Sequence, residues 1–180
     1  MTMKQLLEDD ILRLRALEPE DLDVLYKWEN DTSLWEVGST LSPYSRYILK
    51  QYIERSAEDL YSLRQLRLLI ERKEDLLPVG LIDLYDFEPK HRRAAVGLIV
   101  EPSLLRRGIG YRALMLLHEY ALSFLCLHQL YVHIPVGNVA STAFFRKAGY
   151  EECGLLKEWI LLSSGYSDVR IMQKISPSKH

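Results

Sequence analysis

The chain has 180 residues, 48% hydrophobic and 27% charged, with 23 basic against 25 acidic side chains and a formal net charge of -2. That length suits one domain with a core large enough to need no disulfide or metal staple. The near-balance of charge argues against a dominant basic nucleic-acid footprint, and the apolar content excludes wholesale disorder. Residues 11–16 alternate apolar and basic over their second half, as a half-buried strand does. Glu18-Pro19-Glu20-Asp21 then reads as a helix start, with proline at the first helical position and acids in the first turn; Leu22, Leu25, Tyr26 and Trp28 supply its apolar face. Ser42-Pro43 repeats that signal for a second helix carrying Tyr44, Tyr47, Ile48, Gln51 and Tyr52, a stripe expected to pack at the core or its rim.

Apolar runs at 67–71, 79–87 and 94–100 follow, joined by short polar connections that favour antiparallel neighbours. Ile109, Ala113, Leu117, Ala121, Phe124 and Leu125 recur at helical spacing and predict one long helix over 108–125. A strand at 130–134 ends at Pro135. Asn138 is a good N-cap for a short helix through Lys147, with Ala148-Gly149 as its stop. Strands at 152–162 and 166–175 flank Ser163-Ser164-Gly165, a hairpin loop. The order predicts an α/β (α+β) fold around a central sheet. No repeat or linker divides the chain, so 1–180 reads as a single domain.

Cys126 and Cys153 lack metal or redox spacing and read as reduced, mostly buried thiols of a cytoplasmic protein. The first ten residues are polar and carry three acids, unlike a secretory leader. The most apolar stretch, 109–127, is interrupted by Arg112, His118, Glu119 and Ser123 and reads as a core helix, so no membrane span is expected. The five histidines show no metal-ligand spacing, and no metal is expected. His118 reads as a helix-face residue. Trp28, Trp35 and Trp159 read as packing residues.

The most informative segment is Leu105-Arg106-Arg107-Gly108-Ile109-Gly110-Tyr111. A strand ends, a short loop follows and two glycines open a helix. Free N–H groups at a helix start, the macrodipole and two arginines together make a site for a phosphate or diphosphate. Residues 108–113 fit G-x-G-x-x-A, but they lie mid-chain after antiparallel strands, with no acid in 130–141 to hold a ribose, so a dinucleotide fold is rejected. The chain contains neither a P-loop nor a G-x-S-x-G serine.

From Leu12-Arg13-Leu14-Arg15 through His91-Arg92-Arg93-Ala94, the Arg-Arg-Gly-Ile-Gly loop, Asn138, Phe144-Phe145-Arg146-Lys147 and Gly165-Tyr166-Ser167-Asp168, the chain resembles the GNAT acyltransferases. The nearest branch holds the ribosomal-protein N-terminal and spermidine acetyltransferases. The resemblance implies a mixed, mostly antiparallel sheet with helices on both faces, and acetyl-CoA as cosubstrate. It places Arg106, Arg107, Gly108, Ile109, Gly110 and Tyr111 at the diphosphate. It places Leu98, Ile99 and Val100 along the pantetheine arm, and Asn138 and Phe145 on its other side. The implied reaction is direct acetyl transfer to the amine of a small molecule or a peptide N-terminus, with a homodimer as the common assembly.

Three positions depart from the pattern. Leu105 stands where the loop signature has Gln or Arg. Phe145 occupies the position of the usual tyrosine acid, and Ala95 that of the usual glutamate base, so the catalytic groups are unassigned. Tyr111, Glu101, Asp86 and His133 are the available substitutes. Glu36 and Asp86 match acceptor-binding positions of the polyamine branch. The alternative reading is a catalytically silent acyl-CoA-binding or interaction protein.

Overall fold

A computed structural model describes residues 6–35 and 41–177. Seven strands form one sheet in the order β1-β2-β3-β4-β5-β7-β6. They are β1 (Leu12–Arg15), β2 (Leu66–Arg72), β3 (Leu77–Glu88), β4 (Arg93–Val100), β5 (Gln129–Pro135), β6 (Glu151–Leu162) and β7 (Gly165–Ile175). Every neighbouring pair is antiparallel except β4 and β5. The helices are α1 (Leu22–Glu29), α2 (Thr32–Trp35), α3 (Arg46–Arg55), α4 (Leu60–Leu63), α5 (Ile109–His118) and α6 (Val139–Lys147).

Alternation along the strands sends apolar side chains to both faces of the sheet. On one face Leu68, Ile70, Ile82, Leu84, Val96, Leu130 and Val132 pack under Ala113, Leu114 and Leu117 of α5 and Phe145 of α6. On the other, Leu69 and Leu81 pack against Leu25 and Trp28 of α1 and Leu49 and Ile53 of α3. The predicted element order holds, and the two single-turn helices α2 and α4 are additions to it.

Five expectations are corrected. The helix predicted at Ser42-Pro43 begins three residues later, at Arg46. Asn30 holds both backbone groups of Tyr44, accepting from its N–H at 2.8 Å and donating to its carbonyl at 3.0 Å. Ser45 then caps the helix through the Ile48 N–H. The rotation this sets buries Leu49 and Ile53 and leaves Tyr47 and Ile48 exposed, so the predicted stripe is mostly an outer face. The long helix is α-helical only to His118, and 119–124 widens into a π-turn in which the Leu125 N–H reaches the Tyr120 carbonyl five residues back. Both cysteines are exposed, with no disulfide between them. Trp28 is buried as expected, whereas Trp159 is mostly exposed on β6.

No helix among the described residues is long and apolar enough to cross a membrane.

Candidate active site

Strands β4 and β5 pair only at Arg93–Gln129, Ala94–Leu130 and Ala95–Tyr131, and then diverge. Beyond Ala95, β4 keeps its partner β3, and β5 keeps β7. The Glu101 N–H donates to the Val79 carbonyl at 2.9 Å. Antiparallel alternation therefore points the backbone of the odd residues 97, 99 and 101 toward β3, and that of Leu98 and Val100, with the Val96 carbonyl, into the gap left by β5. Of the three predicted arm-binding residues, Leu98 and Val100 offer backbone groups to the opening. Ile99 spends its own on Leu81.

The mouth of the opening is set by two helix starts. Gly108 caps α5 in the left-handed region at φ +80°, and Arg106 adopts φ +63°. The Arg112 N–H makes the first-turn bond to the Gly108 carbonyl, so the amides of 108–111 precede the helical ladder and have no carbonyl within it. Arg106 and Arg107 are exposed, and no carboxylate is paired with either among the described residues. Arg112 points elsewhere, to Asp9 and Asp10, each at 2.9 Å.

The resemblance places Gly110 at the diphosphate. Its structural constraint is packing. A Cβ there would stand 3.3 Å from Leu98 Cδ2, 3.4 Å from Val100 Cγ2 and 3.7 Å from Phe144. The missing side chain is what lets α5 start hard against β4. On the β5 side Asn138 caps α6 by accepting from the Ser141 N–H at 3.0 Å. Phe144 meets Tyr111 edge to face with centroids 6.5 Å apart, joining the body of α6 to the start of α5. The free strand backbone leading to free helix amides matches an extended, amide-bearing molecule that ends in a diphosphate.

The closed end of the opening is the Ala95–Tyr131 pair. Its α5/α6 face is filled by Val96, Val132 and Phe145, each almost wholly buried. Phe145 stacks edge to face on Phe144 and on Tyr150, both at 5.1 Å. Tyr150 in turn hydrogen-bonds His118 at 3.0 Å. Burial, with Lys174 nearby, pushes the His118 imidazole down to about 4. Phe145 supplies no proton, and the nearby phenol of Tyr150 is occupied by His118.

On the α1/α3 face the β4 positions are small, Ala95 and Gly97. Tyr85 is paired beside Ala95 on β3, and Tyr131 lies on its other side. Burial raises the Tyr85 phenol to about 12. It also raises that of Tyr131, helped by the nearby Asp86 carboxylate. Both are protonated and fit donor roles. Asp86 itself is exposed on a bulge of β3 at φ +47°. His133 is exposed and contacts Tyr131 edge to face at 5.6 Å. Glu101 is committed: it accepts from Trp28 Nε1 at 2.8 Å and from Lys27 Nζ at 3.0 Å, which hold its carboxyl below the usual range. Glu36 lies outside the described residues.

Sequence reasoning missed Tyr85, Tyr131 and a half-buried ion cluster of Arg67, Asp83 and Glu29. The available signal was charge at inward positions: Arg67 and Asp83 interrupt apolar strands on the face opposite Leu68 and Ile82.

A family model described as acetyltransferase (GNAT) domain matches residues 12–151. A spermidine N(1)-acetyltransferase of Vibrio cholerae is 26% identical over 161 residues, covering 89% of this chain and 91% of its own length. One from Escherichia coli K12 is 24% identical, covering 86% and 81%. Among solved structures, a dodecameric spermidine N-acetyltransferase from Vibrio cholerae superposes with a TM-score of 0.78 at 26% identity over 93% of this chain and 95% of that one. The same enzyme crystallised with CoA and spermine gives 0.81 at 24% identity, over 93% and 97%.

Proposed function

We infer the acceptor and the course of the chemistry from one premise: this chain belongs to the GNAT acetyltransferase family, whose members transfer an acetyl group from acetyl-CoA to an amine. The acceptor is the primary amine of a small molecule. The amides of 108–111, with Arg106 and Arg107, hold the diphosphate, and the free backbone of Leu98 and Val100 holds the pantetheine arm. Acetyl-CoA supplies the thioester.

The amine enters from the α1/α3 face, because the other face behind Ala95 is packed solid. Asp86 at the rim attracts its ammonium form and, through water, takes the proton that must leave before attack. A carbon–nitrogen bond forms as the carbon–sulfur bond breaks, and Tyr131, protonated at Ala95, is placed to return a proton to the departing thiolate. Alignment in the opening contributes much of the rate, because neither Phe145 nor Ala95 can take part in proton transfer.

The observation that carries this reading is the divergence of β4 and β5 past Ala95 and Tyr131, beside the unladdered amides of α5. It is tested by calorimetry with CoA and by following free thiol from acetyl-CoA with a panel of primary amines and N-terminal peptides. Heat with CoA and thiol release with small primary amines are expected. Absence of heat would refute the site. Binding without release for any acceptor would make the protein a silent acyl-CoA module.

The protein works in the cytoplasm and self-associates. Exposed Leu155, Trp159, Leu161 and Tyr166 on the β6–β7 hairpin form the surface for it, and a relative is dodecameric. Light scattering of Trp159→Glu is expected to show a smaller particle than the unaltered protein.

A further inference from the structure

Lys147, the last residue of α6, holds its ammonium over the ring of Tyr111, 5.2 Å from the centroid. Tyr111 lies in the first turn of α5, and its N–H is one of the unladdered amides of 108–111. Phe144, one helical turn before Lys147, meets the same ring edge to face. Tyr111 therefore spans two places: its backbone belongs to the amide cradle, and its half-buried ring fixes where the ammonium stands beyond it. The last turn of α6 suits a cation, because the carbonyl end of a helix is negative. The first turn of α5 does not. It is the positive end of its own helix, and exposed Arg106 and Arg107 precede it.

The chain does not offset this gathering of positive charge. Among the described residues no carboxylate is paired with Arg106, Arg107 or Lys147. The acids bonded to the flanking segments are committed, Asp9 and Asp10 to Arg112, and Glu101 to Lys27 and Trp28. A diphosphate bridge carries one negative charge on each phosphate, which the two arginines match. Lys147 is a further cation, set one side chain away from the amides. Coenzyme A carries a further anion at a similar remove, the 3′-phosphate of the ribose that the diphosphate joins, and a phosphate monoester is close to doubly charged at neutral pH.

We propose that Lys147, held on the Tyr111 ring, binds the ribose 3′-phosphate of the coenzyme and selects coenzyme A thioesters over donors that lack that phosphate. This rests on the acetyl-transfer reading and narrows its donor. Lys147 is the specificity-determining residue. Tyr111 positions it, since an ammonium already seated on an aromatic face loses less freedom when the phosphate arrives.

The test is calorimetry with CoA and with 3′-dephospho-CoA. The unaltered protein is expected to bind CoA about tenfold more tightly, the scale of one charge-assisted contact, and the advantage should shrink as salt is added. Lys147→Met keeps an unbranched stem on the ring and removes the charge. It is expected to weaken CoA about tenfold and to leave dephospho-CoA within about twofold, whereas Lys147→Arg should retain the preference. Equal affinity of the unaltered protein for the two ligands, or an equal loss of both in Lys147→Met, would overturn the assignment while leaving the diphosphate site and acetyl transfer intact. No heat with either ligand would overturn both.

Discussion

At the scale of single residues, the two glycines of the loop carry different loads. Gly108 adopts φ +80° with open space around it, so Gly108→Ala is expected to cost about 1 kcal/mol from backbone strain alone. Gly110 has no positive φ but little room, so Gly110→Val must displace Leu98 and Val100 or push α5 off them. Thermal unfolding should show both variants destabilised, and calorimetry should show CoA affinity falling more for Gly110→Val, which moves the free amides. The glycine pair was legible as a motif because glycine at a strand-to-helix junction is informative in itself. The reason for Gly110 was not, because the strand residues it must clear lie ten or more positions earlier. Tyr85 and Tyr131 were illegible for a similar reason: nothing local says that a phenol on β3 and another on β5 flank one alanine.

At the scale of elements, the junction of α5 with its π-turn buries His118 against Tyr150, and this makes a pH prediction. The imidazole titrates near 4 when folded and near 6.5 when unfolded. The unfolded chain thus binds the extra proton first, and stability falls as pH drops through that window. The loss is about 3 kcal/mol by pH 4, and His118→Gln should flatten the dependence in denaturant titrations between pH 4 and 7. A second element-scale link runs from α1 to the loop before α5, where Glu101 receives Trp28 and Lys27. Glu101→Ala is expected to raise the KM for acetyl-CoA about fivefold, with a smaller effect on kcat, by loosening the placement of the 108–111 amides. Strands and α-helices were readable from periodicity, whereas the π-turn at 119–124 was not. The start of α3 was not, since Asn30, fourteen residues upstream of Tyr44, decides it.

At the scale of the whole molecule, β1 is fastened to the rest by a buried carboxylate. Glu71 accepts from Arg13 and Arg15, and Arg15 also binds Asp21 at the entrance to α1. Burial alone would raise the Glu71 carboxyl, but the two guanidinium groups hold it below its ordinary 4.5. Its contribution is therefore present above that value and lost as pH falls below it, in the same direction as His118. Glu71→Ala removes the acceptor shared by Arg13, which reaches solvent, and Arg15, which keeps Asp21, and should cost about 2 kcal/mol in chemical denaturation. The architecture was legible because element order and family resemblance agreed. The ion cluster was hidden because Glu29, Arg67 and Asp83 come from α1, β2 and β3 and meet only once the sheet is built.

The parting of β4 from β5 has a further consequence. A sheet normally protects its central amides best, yet here Leu98 and Val100 have no strand opposite them. Deuterium should enter those positions quickly in the free protein, making the middle of the sheet behave like an edge. Saturating coenzyme would then act as a missing strand, slowing exchange there first and lifting the melting temperature as its concentration rises.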